Sequence, residues 1–309
     1  MLSKFKSNIT APLLVALVYL LLILSRIINI PEMTGENEYI GVIVLQLLIF
    51  LLPAVVYSKL KGEGYALRLR IRPIGGQHLL VSLLGAGTLI CGSLLMTILF
   101  SSEPQNESFS LYKTFTASFD GSAEAIILAT VAYAVVPALC EEFFFRSLMS
   151  AEYEEYGIGK ALLMSSLFFG MVHYDFAKLP IYFFAGCVLF ATLYATRSLI
   201  GSIIVHFLYN LFGLFGESFA SEVYNTTGST ELFLLLLFGA FLLMAALFCG
   251  EAARLYRRYA RLNTPSDYAL PKKKKKSEEG ALTEFAESLL SPPALACYLI
   301  FILAAWLLK

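Results

Sequence analysis

The chain is broken up by nearly uncharged apolar stretches, most of them about as long as a bilayer is thick. A helix that crosses the hydrocarbon core needs roughly 17–25 such residues. Candidates run over Ala11–Ile30, Tyr39–Tyr57, Leu79–Phe100, Ala125–Met149, Ala161–His173, Leu179–Tyr194, Leu199–Leu214, Leu232–Cys249 and Ala294–Leu308. With 58% of the 309 residues hydrophobic and 15% charged, too few polar side chains remain to coat a water-facing surface. Continuous apolar runs satisfy their backbone hydrogen bonds as helices, whereas a barrel would need short alternating ones. The expected fold is therefore all-α, a polytopic integral membrane protein with about eight to nine transmembrane helices. Ala161–His173 and Ala294–Leu308 are short, so tilted, interfacial or re-entrant placements stay open for them.

Net charge is zero, but its distribution alternates. Lys4 and Lys6, then Lys59, Lys61, Arg68, Arg70 and Arg72, then Arg146 and Lys160, Arg197, and finally Arg254, Arg257, Arg258, Arg261 and Lys272–Lys276 fall on one side. Lys113 and Lys178 are the exceptions among the opposite loops. The positive-inside rule then puts the N-terminus in the cytoplasm and, with nine spans, the C-terminus outside; in a bacterium the membrane would be the plasma membrane. Lys4 and Lys6 ahead of an apolar run also suit a signal peptide, but the run is long and lacks a small-residue cleavage site, which favours a retained helix. The chain divides into three N-terminal helices and a loop (1–122), a helical core (123–217), one further helix with a basic end (218–261), a basic linker (262–284) and a last hydrophobic helix (285–309). The linker reads as solvated, and its lysine run Lys272–Lys276 as an anchor for anionic lipid, which gains roughly 1 kcal/mol per cation. No nucleic-acid partner is expected. Cys91, Cys140, Cys187, Cys249 and Cys297 show no close pairing and outline neither a disulfide framework nor a zinc knuckle.

Ionisable groups inside a membrane cost on the order of 2.5–3.5 kcal/mol each, so those within apolar runs ask for a reason. Three segments carry them: Val136–Arg146 with Glu141 and Glu142, Phe169–His173, and His206–Asn210. On a helix Glu142 and Arg146 share a face, acid before base, and can pair. Glu141 is left over, turned about 100° around the axis, and suits a general base. Pro137, four residues earlier, cannot donate a backbone bond and should loosen the helix beside the carboxylate. Phe169 with His173, and His206 with Asn210, have the same one-turn spacing. A hairpin turning at Gly157–Gly159 would bring Glu141 and His173 level. Converging, these groups suit water activation by a carboxylate and an imidazole, with a second imidazole and an amide donating to a developing oxyanion. Against this stand the plainer readings: a structural ion pair for Glu142 and Arg146, and interhelical hydrogen bonds for each histidine. His78, at a helix start, has no assigned role.

Glu141-Glu142-x-x-x-Arg146, Phe169-x-x-x-His173 and His206-x-x-x-Asn210, in this order, resemble the motifs of the CPBP family, the CAAX prenyl endopeptidases and bacteriocin-processing (Abi) membrane proteases. Pro137 and the stretch Thr196-Arg197-Ser198-Leu199 agree with it, and Ser147 stands where many relatives carry glycine. The resemblance covers about Ala125 to Leu214. It implies an intramembrane endopeptidase in which Glu141 and His173 activate water, His206 and Asn210 bind the oxyanion, and Glu142, Arg146 and Phe169 support them. The substrate would be a membrane-associated peptide or protein: a prenylated CAAX-type tail, a leader peptide or a membrane-protein segment.

Two other readings use the same residues. Zinc held by Glu141, His173 and His206 would give a metalloprotease; the metal-free version is preferred because no H-E-x-x-H pair fixes two ligands on one helix. A non-catalytic scaffold, or a transporter relaying protons, belongs to a different class, although no internal repeat supports the transporter.

Overall fold

In the computed structural model, residues 7–26, 38–62, 69–100, 122–261, 283 and 286–308 are described. The loop Ser101–Gly121, nearly all of the basic linker and the lysine run Lys272–Lys276 lie outside them. The described residues form helices only, connected by turns. They are α1 (Ser7–Ser25), α2 (Glu38–Lys61), α3 (Gly76–Phe100), α4 (Ala123–Tyr156), α5 (Ile158–Met171), α6 (Leu179–Thr196), α7 (Leu199–Phe215), α8 (Glu217–Thr227), α9 (Thr230–Arg261) and α10 (Pro292–Leu307). The protein is an all-α polytopic membrane protein. Among the described residues, each of the nine apolar runs lies mostly on a helix. Among the described residues, α1, α2, α3, α4, α6 and α9 are long and apolar enough to cross a membrane singly. A seventh span is added if α7 and the helix after it count as one bent crossing, and α5 and α10 are the shorter apolar helices.

Two helices are loosened where proline dictates it. Pro53 and Pro137 lack an N–H, and the ring clashes with the carbonyl four residues back. The chain answers by widening into π-helix just upstream, at Leu47–Leu51 in α2 and Val131–Val135 in α4. There Leu52 N–H and Val136 N–H reach back to the carbonyls of Leu47 and Val131, five residues away. A third π stretch, Phe143–Met149, has no proline. Its Phe145 carbonyl accepts the Ser150 backbone N–H, five residues on, and also Ser165 Oγ of α5 at 2.8 Å and Ser150 Oγ at 3.2 Å, so side-chain donors reinforce the widened ladder.

Gly157, at φ 108°, closes α4 and starts α5, the position the sequence suggested for this turn. The C-terminal end of α5 differs from expectation. The helix stops at Met171, and His173 lies on the closing turn. Tyr174 takes a left-handed φ of 53° and returns its N–H to the Met171 carbonyl at 3.1 Å, a glycine-like helix stop made by a tyrosine. Its hydroxyl compensates by donating to the Tyr19 carbonyl of α1 at 2.7 Å. Tyr19 in turn donates to the Phe168 carbonyl at 2.8 Å. These bonds make α1 part of the wall of the bundle. α10 packs on the same helix, with Cys297 Sγ donating to the Pro12 carbonyl at 3.1 Å.

The turn between α6 and α7 is pinned by the segment before α3. Arg70 and Arg197 both adopt left-handed φ, 55° and 56°. Leu199 N–H donates to the Arg70 carbonyl at 2.9 Å, Ser198 Oγ to the Arg72 carbonyl, and Ser147 Oγ of α4 to the Leu69 carbonyl. Ser147 thus has a bond to make that a glycine at this position could not. Arg70 also pairs with Glu154 at 2.7 Å.

α5 and α6 approach closely because Gly186 lies against Ser166. A Cβ at position 186 would sit 2.7 Å from Ser166 Cβ and 2.8 Å from its Cα. Gly186→Val should therefore destabilise the bundle by about 1–3 kcal/mol, measured as a lowered unfolding midpoint in detergent. Gly159→Ala, with nothing within 4 Å, should leave that midpoint unchanged.

Candidate active site

Glu141 and Glu142 occupy the helical segment of α4 between its two π stretches, which turns both into the bundle; they are 8% and 0% exposed. Glu142 is the more heavily engaged. Its Oε1 lies 3.0 Å from His206 Nδ1 of α7, and its Oε2 lies 3.3 Å from Arg146 Nε. Arg146 is wholly buried, and none of its three guanidinium nitrogens makes a hydrogen bond among the described residues. Its cation lies instead over the face of Phe169, 4.3 Å from the centroid. Phe169 also presents its ring edge-on to His206 at 5.8 Å and to His173 at 5.4 Å. Phe169 therefore touches the guanidinium and both imidazoles.

The rings are fixed in plane and tautomer. His173 Nδ1 faces the Phe169 carbonyl at 3.1 Å. A carbonyl only accepts, so Nδ1 carries the proton and Nε2 is left as an acceptor. Tyr182 of α6 stacks on the same ring at 3.8 Å and 11°. His206 donates from Nδ1 to the Glu142 carboxylate, which leaves its Nε2 for other contacts.

Glu141, His173, His206 and Asn210 line one cavity of about 250 Å³ between α2, α4, α6, α7 and the turn after α5. Phe169 forms part of its wall, with Pro137. Glu142 and Arg146 lie behind this wall. All seven residues singled out from the sequence are therefore found together. The sequence reading missed Gln46, Tyr133, Lys178, Tyr182 and Tyr209, which also line the cavity. Gln46 had a visible signal, as the one amide in the apolar run Tyr39–Tyr57, but an uncharged amide in a span is less conspicuous than an acid or an imidazole. The tyrosines gave none, because aromatic residues are common in every span. Chemically, the cavity wall offers a carboxylate, two imidazoles and an amide to a polar group that enters it.

The residues do not fit zinc as arranged. Among the described residues, no group of three or more His, Cys, Asp or Glu side chains is spaced to hold a metal ion, Glu141, His173 and His206 included.

Residues 123–212 match the family model described as Type II CAAX prenyl endopeptidase Rce1-like. The match runs from the first residue of α4 into α7 and contains every residue that carried the CPBP resemblance, which it bears out over this segment. It spans under a third of the chain and leaves α1 to α3 and α8 to α10 outside. No curated protein and no solved structure matches the chain.

Removing one member of the buried Glu142–Arg146 pair leaves the other charge stranded. Arg146→Met should cost about 3–5 kcal/mol, read as a fall in unfolding midpoint in detergent. The double variant Arg146→Met/Glu142→Gln should recover part of that loss, because the two effects are coupled.

Proposed function

We propose that this protein is an intramembrane endopeptidase of the CAAX type that hydrolyses a peptide bond in a membrane-associated substrate. The observation that carries the reading is the meeting of Glu141, His173, His206 and Asn210, from three separate sequence motifs, around one cavity inside apolar helices. Buried ionisable groups in such helices mark function more often than stability. The matched segment supports peptidase activity.

In the proposed reaction a water in the cavity attacks the scissile carbonyl carbon. Glu141 takes one of its protons as the new O–C bond forms, and His173 Nε2 orients the water as acceptor. The carbonyl oxygen, now an oxyanion, accepts hydrogen bonds from His206 Nε2–H and Asn210 Nδ2–H. With Nδ1 donating to Glu142 at the same time, His206 acts here as an imidazolium, and the Glu142 carboxylate offsets its charge. The C–N bond then breaks, and the proton held by Glu141 passes to the leaving amine. Phe169 and Arg146 keep the two rings and Glu142 in place. The steps need no metal, in keeping with the spacing of the donors.

The substrate class is a prenylated C-terminal tail, a leader peptide or a membrane-protein segment. The N-terminus is assigned to the cytoplasm on the basic residues of alternate loops, with Lys272–Lys276 meeting anionic lipid.

The test is cleavage of a farnesylated CAAX peptide, and of membrane proteins compared by proteomics, with purified or membrane-embedded protein. Glu141→Gln, His173→Ala and His206→Ala should each abolish cleavage while expression is kept. Asn210→Ala should lower kcat by about 10²–10³. Chelation should leave the wild-type rate unchanged; loss of activity that zinc restores would instead establish the metalloprotease. Full biological activity in all the variants would return the protein to the scaffold reading.

A further inference from the structure

Gln46 reaches the cavity from α2, outside the segment that matches the family model. It is the last residue before the π stretch Leu47–Leu51, where the chain widens ahead of Pro53. Its Nε2 donates to Glu141 Oε1 at 3.4 Å. The direction of the amide is fixed by its partner, since a carboxylate oxygen only accepts and turning the amide over would set two oxygens against each other. The other end of the side chain contributes nothing to stability: Gln46 Oε1 is buried with no hydrogen-bond partner among the described residues. Such an atom costs stability, against a single long bond from Nε2. A residue kept for the fold alone would be better served by an apolar side chain of the same length.

We propose that Gln46 is a positioning residue for the general base. Its amide holds Oε1 of Glu141 and directs the second oxygen towards the water. A neutral donor suits this work. A lysine or arginine here would pair with the carboxylate and weaken it as a base, whereas an amide orients it and leaves the charge available. Glu142 and Arg146 of α4 and His206 of α7 also face Glu141. None of them bonds to it directly, and among the described residues the hydrogen bond to this carboxylate comes from Gln46. The proposal rests on Glu141 being the base, and the measurements separate failure of one idea from failure of the other.

The probe variant is Gln46→Met in the full chain, which keeps the length and volume of the side chain and removes both polar atoms. A lipophilic carbodiimide modifies carboxyl groups only in their protonated form, and peptide mass spectrometry distinguishes Glu141 from Glu142, so this readout needs no substrate. Without the amide donor, half-labelling of Glu141 should move to higher pH. The unfolding midpoint should be equal or higher than that of the wild type. On the farnesylated CAAX peptide, kcat should fall by roughly 10- to 100-fold with KM little changed. Should Gln46→Met not fold, Gln46→Glu retains the shape and adds a like charge beside Glu141, and the same upward shift in half-labelling is expected. Coinciding labelling curves for wild type and variant overturn the proposal. Unimpaired cleavage by Glu141→Gln overturns the assignment of the base instead, whatever the labelling shows.

Discussion

Glu142 lies entirely inside the bundle, with an imidazole on one oxygen and a guanidinium near the other. In a medium that offers no water, such a carboxylate is tolerated only if its charge is matched nearby. Meeting that condition draws α4 against α7 through His206, which bonds one oxygen. It also draws α4 towards α5 through Arg146, whose cation rests on Phe169. The arrangement that makes one buried acid tolerable therefore sets the spacing of the helices that carry both histidines. Glu141, one residue earlier, needs no comparable set of partners because it opens onto the cavity.

The two adjacent acids thus divide the work. Glu142 is walled in and holds a ring, while Glu141 lines the cavity with a single hydrogen bond from an uncharged amide. On a regular helix neighbouring side chains diverge by about 100°, and here that divergence separates an acid paired inside the bundle from one that faces the cavity. The histidines are divided in a similar way. One has its proton fixed by a backbone carbonyl and its face covered by Tyr182; the other is fixed by a carboxylate.

Much of this was legible in the sequence, since acids and imidazoles in lipid-length apolar runs are few and each asks for a partner. The one-turn spacing of Glu142 and Arg146 predicted their pairing, and Pro137 predicted the loosened helix ahead of the glutamates. Gly157 gave the turn that brings Glu141 and His173 to one cavity. Other features depended on tertiary contact. Nothing local shows that Phe169 serves as a platform for an arginine, or that Tyr174 ends α5 with a left-handed backbone held through α1. The helical stop at Met171 was hidden because Val172 and His173 continue the apolar pattern. Gln46 stood out as an amide in an apolar run, but its partner was hidden because it lies ninety-five positions away, in another helix.

The two widened turns of α4 have a consequence for how this helix tolerates change in length. A π turn accommodates one residue more than the regular helix would, so each stretch absorbs a residue without turning the segments on either side out of phase. Removing a single residue from 131–135 would restore regular winding and leave the upstream segment nearly in phase with Glu141 and Glu142. The same deletion within the regular segment 136–142 would rotate one side of α4 by about 100° against the other. Single-residue changes in length should therefore be absorbed in the widened turns and be disruptive beside the acids.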